Sequence, residues 1–520
     1  MNPDFWRAIE RDFTQGRYQG VLESLRPLII LTPPSLQAFK VFGAAAIAAG
    51  DVPALGWALS QRDRLDEAAA RLVVEVWAME AARREQMELA ARLMQQLYDQ
   101  GLRTPDAISR LIRWSIASSN VAGMKALAAA ALQDHPGQLE LMEAVAQLHL
   151  VHGEKQQAAC LAHAILAQAG DHVLAFDLLA EAEPDLVCPD LIARFEALEP
   201  GLSARTDPAA ATLGFALGRV HEAQGRLAPA WAAFARANRI QRRVLARSGA
   251  PVTLAHVQQV WAHARSVQSG LAAITAPAAL APAGPRPIFV IGAPRSGTTL
   301  LERILRGHSA ITGFGERADM ALAFEQFCAL EEGTRLDRFE ALRERWRRAY
   351  LLRNGPQTPF ILDKLPSNLD RVAFIRALFP EAVLLHCRRN AEDTAVSLFT
   401  NDFGFRHGYS TRWDDALGFV RHTEAVAAHW ITAGFDLIEV GYEALVADPE
   451  GVLSPVLDRL GLAFEPGCLN EPDPNEPVFT LSRSKVRNAI ESRAIGRYAR
   501  FVEAGAKPGA EAPGLQGEGL

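Results

Sequence analysis

Residues Pro287 to Leu300, PIFVIGAPRSGTTL, hold the parts of an anion-binding loop. The apolar run Ile288–Ile291 has the make-up of a buried strand, a glycine-bearing turn follows, and a helical pattern starts at Thr298. In that layout backbone N–H groups and a helix N-terminus converge on one anion. Gly292 and Gly297 stand at the spacing of the ATP-binding P-loop, but Thr298 occupies the place of its lysine. A phosphate cradle without the γ-phosphate lysine points away from ATP and towards another phosphorylated cofactor.

Four further segments carry groups that suit such a loop: Gly313-Phe-Gly-Glu316, Asp363-Lys-Leu-Pro-Ser-Asn368, the run Leu385–Phe399 with two arginines, and the basic stretch Thr480–Phe501. Strands are expected at Ile288–Ile291, Phe360–Leu362, Ala382–His386 and Asp436–Val440. Helices are expected at Thr298–Gly307, Asp319–Glu331, Leu336–Leu352, Leu369–Leu378, Ala391–Phe399, Trp413–Ala433 and Val452–Leu460. Strand–helix alternation implies a parallel sheet covered on both faces, with ligands at the carboxyl ends of the strands. The opening loop, Asp363–Asn368 and the run from Leu385 follow strand ends, and Gly313–Glu316, downstream of the loop helix, and Thr480–Phe501 could converge on the same edge.

Upstream, residues 1 to about 272 have a different grammar: Ala- and Leu-rich helical patterns with short breaks. The clearest unit is Phe215–Ile240, with Leu217, Gly218, His221, Gly225, Ala230, Phe234 and Ala237 at the spacing of a tetratricopeptide repeat. Turn positions Gly16, Gly50, Arg84 and Ser118 follow one another at 34 residues, and Gly153 comes after 35. A sixth turn fits Pro184–Pro189, and Gly225 a seventh. Such solenoids offer a concave surface to peptides or proteins. The Ala- and Pro-rich stretch Thr275–Pro287 reads as a linker.

The bulk numbers narrow the classes. With 54 Lys+Arg against 60 Asp+Glu, the net charge of −6 gives no sign of general nucleic-acid binding, so an anion site must be made locally. The five cysteines are scattered without a CxxC pair and read as thiols in a reducing compartment. No His/Cys/carboxylate cluster suggests a metal. No secretory signal is recognisable, and no run approaches the ~18 apolar residues of a membrane helix. A cytoplasmic protein is expected; oligomeric state is unreadable.

PRSGTTLLE, the GE of Gly315-Glu316, DKLPSN and CRRNAEDTAVSL, in this order, resemble the sulfotransferases that use 3′-phosphoadenosine 5′-phosphosulfate (PAPS). The likeness is to the bacterial group in which tetratricopeptide repeats precede the sulfotransferase domain; tyrosylprotein sulfotransferases share the core motifs. The fold class implied is α + α/β: an N-terminal all-α tetratricopeptide-like solenoid (1–272), a linker (273–287), a P-loop-like sulfotransferase domain with a central parallel sheet (288–503), and a tail expected to be flexible (504–520). By position, the resemblance puts Arg295, Ser296, Gly297, Thr298 and Thr299 around the 5′-phosphosulfate and Arg389 with Ser397 at the 3′-phosphate. Glu316 is implied as general base, and Lys364, beside Arg295, as the stabiliser of the leaving phosphate. Tyr442 is implied near the 3′-phosphate or adenine, and Ser482, Arg487 and Arg497 in a cofactor-covering segment. There Ala489 and Ala494 replace the more usual proline and serine. Arg388 should point elsewhere, and His308 and His386 read as structural.

The implied reaction moves a sulfuryl group from PAPS to a hydroxyl without a metal and releases adenosine 3′,5′-bisphosphate. The repeats favour a protein or peptide acceptor, tyrosine among the candidates, with saccharide or lipid open. Two alternatives stand beside it. One is a P-loop kinase or NTPase with Asp363 helping to hold Mg²⁺, against which Thr298 and the adjacent Lys364 argue. The other is a repeat-based scaffold with an inactive domain, against which the intact Arg295, Glu316, Lys364, Arg389 and Ser397 argue.

Overall fold

Paired helices open the chain: Pro3–Thr14 with Tyr18–Ile29, Leu36–Ala49 with Val52–Ser60, Glu67–Arg83 with Met87–Asp99, Pro105–Ala117 with Met124–Asp134, and Leu139–Val151 with Lys155–Gln168. The computed structural model describes residues 3–204, 207–249, 252–271, 284–352, 358–470 and 494–509. Two compact units divide them, one ending at Ala182 and one beginning at Glu183.

A single local device closes the turn inside each of these five pairs. Gly16, Gly50, Glu85, Ser119 and Gly153 adopt left-handed backbone, with φ between 59° and 76°. The amide after each one reaches five residues back: Arg17 to Asp12, Asp51 to Ala46, Gln86 to Ala81, Asn120 to Ser115 and Glu154 to His149, each 2.9 Å. This is the Schellman closure, which satisfies a carbonyl that the ending helix would otherwise leave open. The 34-residue spacing in the sequence is therefore the spacing of these closures. At the third and fourth turns the left-handed residue is one beyond Arg84 and Ser118. Packing needs a small residue where helices cross: a Cβ on Gly43 would stand 2.0 Å from the Trp77 ring. Trp77 is fully buried and its Nε1 donates to Phe39 O at 3.1 Å.

The second unit starts with a 3₁₀ turn at Pro184–Leu186 and the helix Pro189–Ala204, and then repeats the hairpin once more as Pro208–Ala223 and Leu227–Ser248. Its turn closes the same way, Gly225 at φ 75° and Arg226 N–H to His221 O at 2.8 Å. Gly218 lies beneath Phe234, where a Cβ would come within 2.4 Å of the ring. The helix Leu254–Gln268 follows.

Among the described residues, five strands form one parallel sheet in the order β2-β3-β1-β4-β5: β1 (Arg286–Gly292), β2 (Ile311–Gly313), β3 (Phe360–Asp363), β4 (Val383–Arg388) and β5 (Leu437–Gly441). One face, with Ile288, Val290, Leu362 and Leu385, packs on the helices Thr298–Arg306 and Pro449–Asp458. The other, with Phe289, Ile291, Ile361 and Leu384, packs on Arg335–Leu352, Val372–Leu378 and Trp413–Thr432. β1 lies between β3 and β4, so the chain after it emerges at the switch point of the sheet, where open α/β folds bind ligands. The four expected strands are present within a residue or two. β2 was not anticipated, because three residues ending in glycine carry no legible period. The expected helix at Leu369 begins as a 3₁₀ turn, Pro366–Arg371, and becomes α-helical at Val372. Residues 272–283, which take in most of the expected linker, and 510–520, in the expected tail, lie outside the described residues. Among the described residues no helix is long and apolar enough to cross a membrane.

Candidate active site

Between β1 and the helix Thr298–Arg306, three residues take left-handed backbone: Gly292 (φ 142°), Arg295 (φ 72°) and Gly297 (φ 103°). Close packing fixes the two glycines. A Cβ at Gly292 would meet Cys387 O at 2.6 Å, and one at Gly297 would meet the Tyr442 ring at 2.4 Å. Arg295 has a side chain in a conformation L-residues avoid, which marks a position held by its surroundings. Ser296 Oγ donates to Ala293 O at 2.7 Å, and Cys387 Sγ donates to Ser296 O at 3.2 Å, pinning the loop against β4. The first intrahelical bond runs from Leu301 N–H to Gly297 O. The amides of Thr298, Thr299 and Leu300 thus have no intrahelical acceptor, the condition for anion capture.

Three guanidinium groups gather at this loop. Arg295 Nε donates to Ser397 Oγ at 2.9 Å; Arg389 Nη1 donates to Arg295 O at 3.1 Å and its Nη2 to Ala494 O at 2.5 Å. Arg389 also lies over the Tyr442 ring, 4.7 Å from its centroid. Arg497 donates from Nε and Nη2 to the two oxygens of Glu222, each at 2.5 Å. Burial first, then the like charges of Arg497 and Arg389, push Arg295 down to about 10, so it stays cationic at neutral pH. Burial also lowers Arg389. The backbone that brings Arg497 here is tied to Asp393, whose oxygens accept from Gly496 N–H at 2.6 Å and Tyr498 N–H at 2.8 Å. Arg388 pairs outward with Glu439 at 3.2 Å. Arg295, Ser397, Arg389, Tyr442 and Arg497 are thus neighbours; Ser482 and Arg487 lie outside the described residues.

The remaining pair comes from the other side of β1. Beyond β2 the backbone keeps parallel pairing with β3, Phe314 N–H to Leu362 O at 3.0 Å and Lys364 N–H to Gly315 O at 2.9 Å. That register sets Glu316 beside Lys364, whose Nζ donates to Glu316 Oε1 at 2.5 Å. Lys364 is 2% exposed and the Glu316 side chain 54%, so the carboxylate faces water while the ammonium is held inside. A second carboxylate, Glu302 on the loop helix, stands 3.8 Å from Lys364 Nζ. Burial raises Glu302 and Lys364 opposes that rise. Glu302 is not among the expected site residues, although a glutamate beside the apolar stripe Leu301, Ile304 and Leu305 signals a buried charge needing a partner.

Asp363 is turned the other way. It pairs in register with Phe289 on the face opposite the loop helix and accepts from Tyr350 Oη at 3.1 Å. Burial pushes it up to about 7. It does not face the loop as the magnesium aspartate of a kinase would. His308 Nε2 contacts Ala463 O at 2.9 Å, a tie between backbone segments, and burial drives His386 down to about 4.

Residues 287–466 match the model of the Sulfotransferase family. An uncharacterised protein of Aquifex aeolicus is 32% identical over 236 residues, which cover 42% of this chain and 31% of that protein. Protein-tyrosine sulfotransferase 1 of Danio rerio is 24% identical over 223 residues, 39% of this chain and 61% of that protein. The chain therefore spans less than two thirds of either relative. The sulfotransferase domain from the Synechococcus olefin synthase aligns at TM-score 0.29 and 21% identity, covering 42% of this chain and 94% of that domain.

Proposed function

We propose that this chain is a sulfotransferase that takes a sulfuryl group from PAPS to a hydroxyl. The observation that carries the reading is the convergence of Arg295, Arg389 and Arg497 on a glycine-bearing loop whose next strand edge presents a glutamate–lysine pair. Glu222 answers Arg497, and the like charges that Arg497 and Arg389 exert on the buried Arg295 favour a bound anion among them. Arg389 Nε and Arg497 Nη1 are buried without hydrogen-bond partners among the described residues, which suits a ligand carrying phosphate oxygens. The donor, when bound, supplies an activated sulfuryl group and two phosphate-bearing ends. Ser296, Gly297, Thr298 and Thr299 with Arg295 hold one end; Arg389 and Ser397, with Tyr442 and Arg497 alongside, hold the other. Ser482 and Arg487 belong to the same proposal.

Glu316 takes the acceptor's proton as the new oxygen–sulfur bond forms, a contribution of roughly 10²–10⁴-fold. Lys364 and the loop amides receive the charge left on the phosphate oxygen as the old sulfur–oxygen bond breaks. Reading the helical pairs as tetratricopeptide repeats, and the likeness to a protein-tyrosine sulfotransferase, favour a protein or peptide acceptor, tyrosine included.

Calorimetry tests the donor site. Adenosine 3′,5′-bisphosphate should bind in the micromolar class, and Arg389→Ala should weaken it by about 100-fold, as loss of charge-assisted hydrogen bonds implies. No binding, or preferential binding of ATP, would overturn the proposal. Radiolabelled PAPS with cell lysate then reports the acceptor, and Glu316→Ala should abolish transfer of label while sparing nucleotide affinity; retained transfer would remove Glu316 as the base.

A further inference from the structure

One member of the arginine cluster is held by a residue far upstream in sequence. Glu222 lies in the last turn of Pro208–Ala223, and its two oxygens take Nε and Nη2 of Arg497. Arg497 is 7% exposed, and its remaining nitrogen, Nη1, is buried with no hydrogen-bond partner among the described residues. The carboxylate occupies one edge of the guanidinium and leaves a buried donor for something else.

The hairpin that carries Glu222 is itself fixed to the elements of the site. Trp231 stacks on Phe399 at 5.0 Å and meets Trp413 at 5.6 Å and Phe501 at 5.3 Å. Asn238 Nδ2 donates to Phe399 O at 2.6 Å, Gln241 Nε2 to Asp402 Oδ1 at 3.0 Å, and Arg242 Nη1 to Thr411 O at 2.6 Å. Phe399 ends the helix that bears Ser397, and Phe501 lies in the helix that starts at Arg497. One hairpin therefore braces two elements of the anion site.

We infer that Glu222 is a positioning residue of that site: it holds Arg497 at the cluster, and the hairpin Pro208–Ser248 is a wall of the donor pocket. The inference rests on the donor-site reading above. Two effects oppose each other when Glu222 loses its charge. The local potential becomes more positive, which favours an anion; Arg497, repelled by Arg295 and Arg389, also loses its anchor. The first effect acts across distance and is screened, whereas the second removes a direct contact, so weaker binding is the expected sign.

The test uses the full chain and two probes, inorganic pyrophosphate and adenosine 3′,5′-bisphosphate. Glu222→Gln should weaken both by about tenfold, the cost of a charge-assisted contact. Glu222→Asp, which keeps the charge with a shorter reach, should fall between, and it reads the same contact should Glu222→Gln not fold. In an Arg497→Gln background, Glu222→Gln should change affinity no further, which a merely structural role would not produce. Unchanged or tighter binding by Glu222→Gln, wild-type affinity in Glu222→Asp, or a further loss in the Arg497→Gln background would overturn the inference. Wild-type protein that binds pyrophosphate but not the nucleotide would overturn the donor reading alone, with the pyrophosphate series still deciding Glu222. Binding of neither would overturn both.

Discussion

The hairpins Glu67–Asp99 and Pro208–Ser248 are built by the same turn and used differently. In each, an amide just past a left-handed residue closes on a carbonyl five residues back, and a large side chain fills the space over a glycine. Trp77 of the earlier hairpin places its ring over Gly43 of its neighbour, and Glu80 pairs with Arg83 of its own helix and with Arg84 at that helix's end. In the later hairpin the ring over glycine is Phe234 on Gly218, which leaves Trp231 for Phe399, Trp413 and Phe501, and Glu222 for Arg497. Local hydrogen bonding makes the hairpin, and its side chains decide whether it packs on neighbouring helical pairs or on the helices Ala391–Phe399, Trp413–Thr432 and Arg497–Glu503. A helical-hairpin period in sequence is therefore no guide to where a compact unit begins.

Two tryptophan truncations give the widest separation between these hairpins. Trp77→Ala and Trp231→Ala should each cost about 3–5 kcal/mol of the stability of their own unit. Only Trp231→Ala should also weaken adenosine 3′,5′-bisphosphate, because it loosens the helices bearing Ser397 and Arg497. Denaturant unfolding with calorimetry on both variants checks this, and equal losses of affinity would break the comparison.

The sheet unit also buries charge that the earlier hairpin keeps outside, and Asp363 makes this measurable. Its ordinary value is 3.8 and burial pushes it up to about 7. Between those values the folded protein keeps a proton that the unfolded chain has released, so stability from this group falls as pH rises through that window and levels off above it. The slope has a ceiling of about 1.4 kcal/mol per pH unit. Asp363→Asn should flatten the decline in thermal midpoint between pH 5 and pH 8; parallel profiles for wild type and variant would show that the buried carboxyl does not titrate there.

The smallest effects lie in the turns. Glu85 and Ser119 hold φ of 59°, a conformation that glycine adopts without strain. Glu85→Gly and Ser119→Gly should each gain about 0.5–1 kcal/mol, and Gly225→Ala should lose a similar amount. Loss of stability in both glycine variants would mean that their side chains contribute contacts beyond the turn.

Much of the sheet unit was legible because its signals are local. Ile288–Ile291 reads as a strand from composition, and Ala391–Phe399 matches the helix residue for residue. The three-residue β2 was too short to show a period, although its register sets Glu316 against Lys364. Arg295 and the arginines after β4 stand out by type near strand ends, whereas Ser397 comes in only with the resemblance. Glu222 does neither, since its partner is 275 residues away and nothing near it in sequence signals an ion pair.

The sequence by itself determined the two grammars, the turn period, the phosphate-type loop and the absence of its lysine, all matters of neighbouring residues and backbone preference. Tertiary structure decided which charges meet. It turned Asp363 away from the loop, set Lys364 between Glu302 and Glu316, and gave Arg497 a carboxylate from the last hairpin. The reason is physical: a turn is closed by atoms a few bonds apart, whereas a buried charge is stable only where a partner from elsewhere in the chain is brought to it.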